Sequence, residues 1–406
     1  MVVRNVVFVA PFPAETTLRF VRATRTLSNI RLLGVVHTPP AGDDAQLFDH
    51  VIRIDDPLNP DAISTAIEQF RQTFGPIDRI LGILEHIQVQ LALLRKRFGV
   101  AGLTVDAAER FRDKTQMKAA LQSVGLPTAR YKLLRTMSDA HAFVRDVGLP
   151  IILKPPAGVG CKATFRVTRP EQLEPAIRAL APAPQDELLA EELVVGREHS
   201  LETVTVGGEV KMISITEYTP TPLEVVENPW IQWCVVAPRD VDGSQFDEIK
   251  NIGRRAVAAL GLHSGMTHME WFRRPDGSLA IGEIAARPPG ANIVRLTGLA
   301  HDTSMYRAWA RAEVDDAFDG PWPRRYATGA AFLRGMGRGR VIAIDGVGRI
   351  HKELGNLVAE AKLPTLGTAK NDAYEGDGYV LVRHEDTEVV RGALKRIIET
   401  IRVYYG

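Results

Sequence analysis

The chain opens with short apolar runs separated by longer amphipathic stretches. "VVFVA" (Val6 to Ala10), "RLLGVVH" (Arg31 to His37), "VIRI" (Val51 to Ile54) and "RILGILE" (Arg79 to Glu85) read as buried strands, and Pro60 to Phe74 reads as a helix with one apolar face. This alternation predicts a parallel α/β layer that ends near Thr104. Ligands commonly sit in the loops after such strands, but "APFPAETT" lacks a glycine fingerprint, so no dinucleotide site is expected there.

The stretch "ERFRDKTQMKAALQSVGLP" is helical in pattern, with Gly125 and Pro127 as its stop signal. The texture then changes. "YKLL", "IILKP", "ATFRV", "ELLAEELV", "HSLETVTVGGEVKMISITEY" and "HMEWFRRPDGSLAIGEIAARP" read as strands joined by turns, two of them marked by "GG" and "DG". They predict a large antiparallel sheet. Helices are expected at Ser138 to Val147 and Asp247 to Leu260, and a glycine-punctuated β-rich segment from about Gly320 closes with the helix "DTEVVRGALKRIIETIRV". The fold class is α+β with an α/β N-terminal domain.

Composition narrows the function classes. With 406 residues, 45% hydrophobic and 24% charged, the chain suits a soluble protein of two or three domains. The 50 Lys plus Arg against 49 Asp plus Glu give a net charge of +1, so no global field draws it to nucleic acid or to an anionic membrane. "FLRGMGRGRVIAIDGVGR" is basic and glycine-rich, but no aromatic stacking pattern accompanies its arginines, and a turn-rich β segment explains it. Two cysteines, Cys161 and Cys234, make no disulfide framework or cysteine-based zinc site and fit a reducing, cytoplasmic setting. The apolar run before Pro11 is too short for a signal peptide or a membrane span.

The candidate chemistry begins at "ILKPPAGVGCKATFRV" (Ile152 to Val167). Lys154 ends an apolar strand, and Gly158 and Gly160 let the backbone fold over a ligand. Exposed N–H groups with Lys154 and Lys162 nearby make an anion cradle suited to a polyphosphate, although no "GK[ST]" opens a helix as in a Walker A loop. The alternative is an ordinary hairpin with a solvated lysine. Downstream, "LAEELVVGREHSLETVTV" sets Glu191, Glu192 and Glu198 on a short strand, turn and strand. A carboxylate there can accept two ribose hydroxyls, and backbone groups near Val194 can pair with an adenine edge; a solvated acidic edge is the competing reading. In "THMEWFRRPDGSLAIGEIAARPPGANI", Glu270 and Glu283 flank an Asp276-Gly277 turn and lie roughly opposite each other. Opposed carboxylates are destabilising without a partner, and Mg2+ is the obvious one; two solvent-facing strand glutamates are the competing reading. Arg287, four residues after Glu283, can clamp a carboxylate or a developing acyl phosphate.

The order "RDK", "LKPPAGVGCK", "AEELVVGRE", "HMEW" and "EIAARPPG" resembles the ATP-grasp superfamily over most of the chain. The resemblance implies an N-terminal α/β domain over 1–104, an ATP-grasp module over 105–319 with a small lid at about 125–195, and a C-terminal α/β subdomain over 320–406 that completes the module. It implies that Lys114 and Lys154 contact nucleotide phosphates, that Gly158 to Lys162 is the lid loop, that Glu191 to Val194 reads adenine and that Glu198 binds ribose. Glu270 and Glu283 then match the metal-binding acids, for one or two Mg2+ ions with Mn2+ as an alternative, and Arg287 matches the arginine at the reacting carboxylate. Ala285 departs from the pattern, since many members carry a metal-binding Asn there. The local form with His268 and Asn292 is similar to the L-amino acid ligase branch. His268 faces substrate on that reading or is a packed strand histidine.

The chemistry implied is ATP-dependent joining of a small-molecule carboxylate to an amine through an acyl phosphate, with release of ADP. Cys161 has no paired base and is read as a loop residue. Specificity is expected in "TEYTPTPLEVVENPWIQWCVVAPRD", where Trp230 and Trp233 could wall a pocket, Glu224 or Glu227 attract an amino group and Arg239 hold a carboxylate; a surface excursion packed on the sheet is equally compatible. A biotin-carboxylase-like or purine-pathway-like enzyme using bicarbonate or another small carboxylate, and a non-catalytic nucleotide-binding protein, are the alternatives. Homodimers are frequent in that family.

Overall fold

The computed structural model describes residues 3–157, 164–180, 187–371, 373 and 375–406. The N-terminal layer is a parallel four-stranded sheet in the order His50–Arg53, Ile30–Val36, Arg4–Val9, Arg79–Leu81, with the helix Pro60–Phe74 capped by the side chain of Asn59. The expected strand from Arg79 to Glu85 is shorter than the apolar run. It stops at Leu81, and a helical turn, Glu85–Ile87, follows.

The centre is an eight-stranded sheet, antiparallel throughout, in the order Leu279–Ala285, Gly265–Arg273, Arg197–Val206, Glu209–Thr219, Trp233–Ala237, Ala327–Leu333, Gly378–His384, Val358–Lys362. Its two faces follow from strand alternation. Leu201, Met269 and Trp271 pack against the helix Asp247–Leu260 and the helices Val105–Arg112 and Lys114–Ser123. Glu198, Ser200 and Glu202, in register with Phe272, Glu270 and His268, point the other way.

A second, four-stranded antiparallel sheet, ordered Tyr131–Leu134, Leu188–Glu192, Ile151–Lys154, Phe165–Val167, stands over that second face. The segment between the two sheets is itself pinned. Ile281 N–H donates to the carbonyl of Pro127 at 2.9 Å, and Ala129 N–H to that of Ile281 at 3.3 Å.

Two helical expectations change in detail. The stretch from Glu109 to Ser123 is two helices rather than one, because Asp113 caps the second by accepting from Thr115 N–H at 2.8 Å and Gln116 N–H at 2.9 Å. The last helix ends at Thr400, and Arg402–Tyr405 is a strand paired with Val341–Asp345. No helix among the described residues is long and apolar enough to cross a membrane.

Candidate active site

Glu270 and Glu283 oppose each other directly across the paired strands. The Asp276-Gly277 turn does not achieve this alone. From the turn, Arg273 pairs with Leu279 and Trp271 with Ile281, a register that would set Glu270 against Gly282. A bulge at Gly282 shifts the pairing by one, so that Ile281 faces the helix-packed core while Glu283 joins Glu270 on the opposite face. A Cβ on Gly282 would sit 3.0 Å from the Phe272 ring, and its carbonyl accepts from Lys118 Nζ at 3.1 Å.

Lysines surround this pair. Lys114, the first residue of its helix, reaches Glu283 at 2.9 Å. Lys154, at the end of its strand, reaches Glu191 at 2.8 Å, and the fully buried Lys118 lies 3.4 Å from the other oxygen of Glu191. Burial pushes the Glu283 carboxyl up, but Lys114 and Lys154 prevail and hold it at about 2. Lys118 and Lys154 likewise hold Glu191 below the usual carboxylate range against its burial. Glu198 goes the other way: burial, then the charges of Glu270 and Glu224, push it well above that range.

Between the two sheets lies a cavity of about 330 Å3, walled by Lys114, Lys154, Glu191, Glu198, Glu270 and Glu283 among others. That is the size of a small-molecule site. Val194 also lines it, and among the described residues its N–H makes no backbone hydrogen bond. Glu270 and Glu283 form a wall shared with a second cavity of about 70 Å3, lined by Glu85, Tyr218, Trp233, His268 and Arg287. His268 Nδ1 is 3.0 Å from Glu202, its Nε2 is 3.8 Å from Glu270, and these two carboxylates raise its pKa to about 9 in spite of burial.

Residues 119–300 match the ATP-grasp domain family. The chain carries an ATP-grasp domain. It is 26% identical over 265 residues to the L-arginine-specific L-amino acid ligase of Bacillus subtilis, a span covering 64% of this chain and 63% of that protein. It is 24% identical over 277 residues to the alanine–anticapsin ligase of Bacillus amyloliquefaciens, covering 62% and 53%. The chain thus spans less than two thirds of the length of these ligases. In fold it is similar to the crystal structure of an L-amino acid ligase from Bacillus licheniformis, with a TM-score of 0.81, 19% identity and 100% of both chains covered. The parallel N-terminal layer, the large antiparallel sheet and the smaller sheet over it are the ATP-grasp fold.

Other expected site residues lie elsewhere. Gly158, Gly160, Cys161 and Lys162 are outside the described residues. Glu192 lines the larger cavity but spends its carboxylate on Arg130 at 2.9 Å and Arg274 at 2.6 Å, tying the smaller sheet to the Asp276-Gly277 turn. Trp233 is buried in the second cavity wall, stacked on Phe332 and donating to the Pro220 carbonyl at 3.0 Å, whereas Trp230 is 50% exposed and lines neither cavity. Arg239 donates to the Glu385 carbonyl at 3.2 Å, away from both cavities. Asn292 caps the helix Ile293–His301 in a left-handed conformation and accepts from Arg19 of the N-terminal layer at 3.4 Å. Of the two acids in the specificity segment, Glu224 lines the larger cavity and Glu227 pairs with Arg166 at 3.1 Å.

Sequence reasoning passed over Lys118, Glu202 and Glu85. The i to i+4 spacing from Lys114 places Lys118 on the same helix face, and parity with Glu198 on one strand places Glu202 on the site face. Glu85 was hidden inside an apolar run that reads whole as a strand.

Proposed function

We propose that the protein is an ATP-dependent carboxylate-amine ligase acting on amino acids or amino-acid-like metabolites. The observation that carries this is the pair of cavities meeting at Glu270 and Glu283, one of ligand size under the smaller sheet and one small, with Arg287 in its wall. On this reading Lys114 and Lys154 spread the charge of the nucleotide phosphates and Glu198 takes the ribose. Arg287 steadies the carboxylate while one of its oxygens attacks the γ-phosphorus and ADP leaves. An amine then adds to the acyl phosphate carbon, phosphate departs, and an amide remains. The protein need supply no nucleophile.

The donor set fits Mg2+: two hard, directly opposed carboxylates, one held ionised by lysines, with Ala285 contributing no third oxygen. Among the described residues no three metal-ligating side chains converge, so phosphate oxygens and water would complete the shell. Mg2+ bound there would neutralise phosphate charge and polarise the transferred group. Glu283, held by Lys114 at 2.9 Å, would be shared between that lysine and the ion.

The test is phosphate release from ATP and Mg2+ with amino acids singly and in pairs, with bicarbonate alone in a separate reaction and mass spectrometry of the products. Pair-dependent release of phosphate with ADP and a condensed product is expected. Lys154→Ala and Glu283→Ala should each lower turnover by roughly a hundredfold or more while leaving the circular dichroism spectrum unchanged. Full activity in either folded variant would overturn the site.

A further inference from the structure

The second cavity contains a carboxylate that the chemistry above does not use. Glu85 opens the helical turn Glu85–Ile87 at the end of the N-terminal layer, and only 7% of its side chain is exposed. Its Oε2 accepts from Arg287 Nε at 2.8 Å, and its Oε1 lies 3.4 Å from the Arg112 guanidinium. Arg287 also donates to the Pro288 carbonyl at 3.2 Å, and Arg112 donates to the Ala157 carbonyl. The arginine assigned to the reacting carboxylate therefore already holds one, supplied by a different layer of the protein.

A substrate carboxylate arriving at Arg287 meets Glu85 as a like charge on the same guanidinium. If Glu85 gives up Arg287, its Oε2 is left buried without a donor unless the substrate brings one. Three carboxylates line this cavity: Glu85, Glu270 and Glu283. Glu270 and Glu283 also wall the larger cavity and Glu283 is engaged by Lys114, whereas Glu85 borders only the Arg287 side.

We propose that Glu85 is a specificity-determining residue that passes from Arg287 to the α-ammonium group of the substrate as the substrate carboxylate takes Arg287, so that the cavity selects α-amino acids over carboxylates that carry no cation. The inference rests on the ligase reading above. Arg112 stays on Oε1 throughout, so only the Oε2 contact is exchanged. A cavity of about 70 Å3 walled by Tyr218, Trp233 and Ile293 suits a small apolar side chain. Bicarbonate, lacking a cation, would leave Glu85 Oε2 without a donor.

The experiment is calorimetric titration of the full chain, with MgADP present, by L-alanine and by propionate, for the unaltered protein and for Glu85→Gln. The unaltered protein should bind L-alanine at least tenfold more tightly than propionate. In Glu85→Gln that preference should shrink on the order of tenfold to a hundredfold, with propionate bound as well or better. Glu85→Asp, which keeps the charge one methylene further back, is the second variant, and its preference should shrink severalfold. An unaltered protein that binds neither ligand or binds both equally, a preference unchanged in the folded variants, or an equal loss of both ligands overturns the proposal. Because the titration needs no turnover, selective binding without product formation counts against the ligase reading alone, and product formation with an unchanged preference counts against Glu85 alone.

Discussion

Glu191 sits between two lysines, the largely covered Lys154 and the fully buried Lys118, and the one less expected is Lys118. Its Nζ is fully enclosed, 3.4 Å from Glu191 and 3.1 Å from the Gly282 carbonyl, and burial lowers its pKa against the pull of Glu191. This lysine joins the helix that carries Lys114 to the strand that carries Glu283 and to the smaller sheet. Removing one partner from a buried pair leaves the other charge uncompensated, which costs more than the pair contributes. Lys118→Met should therefore destabilise the protein by about 3 kcal/mol, read as a lower midpoint in urea unfolding, even though the substituted side chain fits the same volume. An unchanged midpoint would mean that Lys154 alone satisfies Glu191.

At the scale of elements, the bulge at Gly282 decides whether the two carboxylates proposed to hold the metal meet. Glu270 and Glu283 can be picked out from the sequence as flanking an Asp-Gly turn, but the turn's own register leaves them one residue out of step. Only the glycine inside the strand hinted at the correction, and a strand glycine can equally mark a sharp bend or the close approach of another backbone. Deleting Gly282 should give an unbulged ladder in which Glu283 still faces Glu270 while the carbonyl that accepts from Lys118 Nζ is lost, so phosphate release should persist within about tenfold and the thermal midpoint should fall. Loss of activity in the folded variant would show that the bulge does more than set the register. The same logic separates what else was legible. Pro60–Phe74 and Asp247–Leu260 emerge with the predicted bounds because their apolar periodicity is long and their ends are marked. The break at Asp113 was missed because Asp is compatible with a helix interior and reveals itself as a cap only through its side-chain geometry. Glu85 was missed because a run of apolar residues cannot show where a strand gives way to a turn. Trp230, Arg239 and Asn292 were chosen for chemical aptitude within an irregular segment or motif, and tertiary placement, which the local sequence does not encode, turned them elsewhere.

At the scale of the whole molecule, the second cavity is complete only while the N-terminal layer stays docked, because Glu85 belongs to that layer and Arg287 to the central one. The joint is the helix Met305–Asp315, whose Trp309 packs edge-on against Phe20 at 5.0 Å and Phe8 at 5.9 Å, while Asp315 pairs with Arg4 at 2.6 Å. Glu313 lies in the same helix. Burial raises its carboxyl to about 6, a shift that Arg95 opposes and Asp316 reinforces. In the unfolded chain this group titrates near its ordinary value of 4.5. Between those two pH values the folded protein retains a proton that the unfolded chain has lost, so the contribution of Glu313 to stability is fully present below about 4.5 and declines as pH rises toward about 6. The decline should total about 2 kcal/mol. Urea unfolding of the unaltered protein and Glu313→Gln across that interval should show the variant gaining relative stability by about this amount as pH rises. A constant difference between the two would place the titration elsewhere. If undocking of the N-terminal layer accompanies the loss, the L-alanine preference assigned to Glu85 should weaken over the same interval in the unaltered protein and persist in Glu313→Gln, which ties the chemistry of one buried carboxylate to the packing around another.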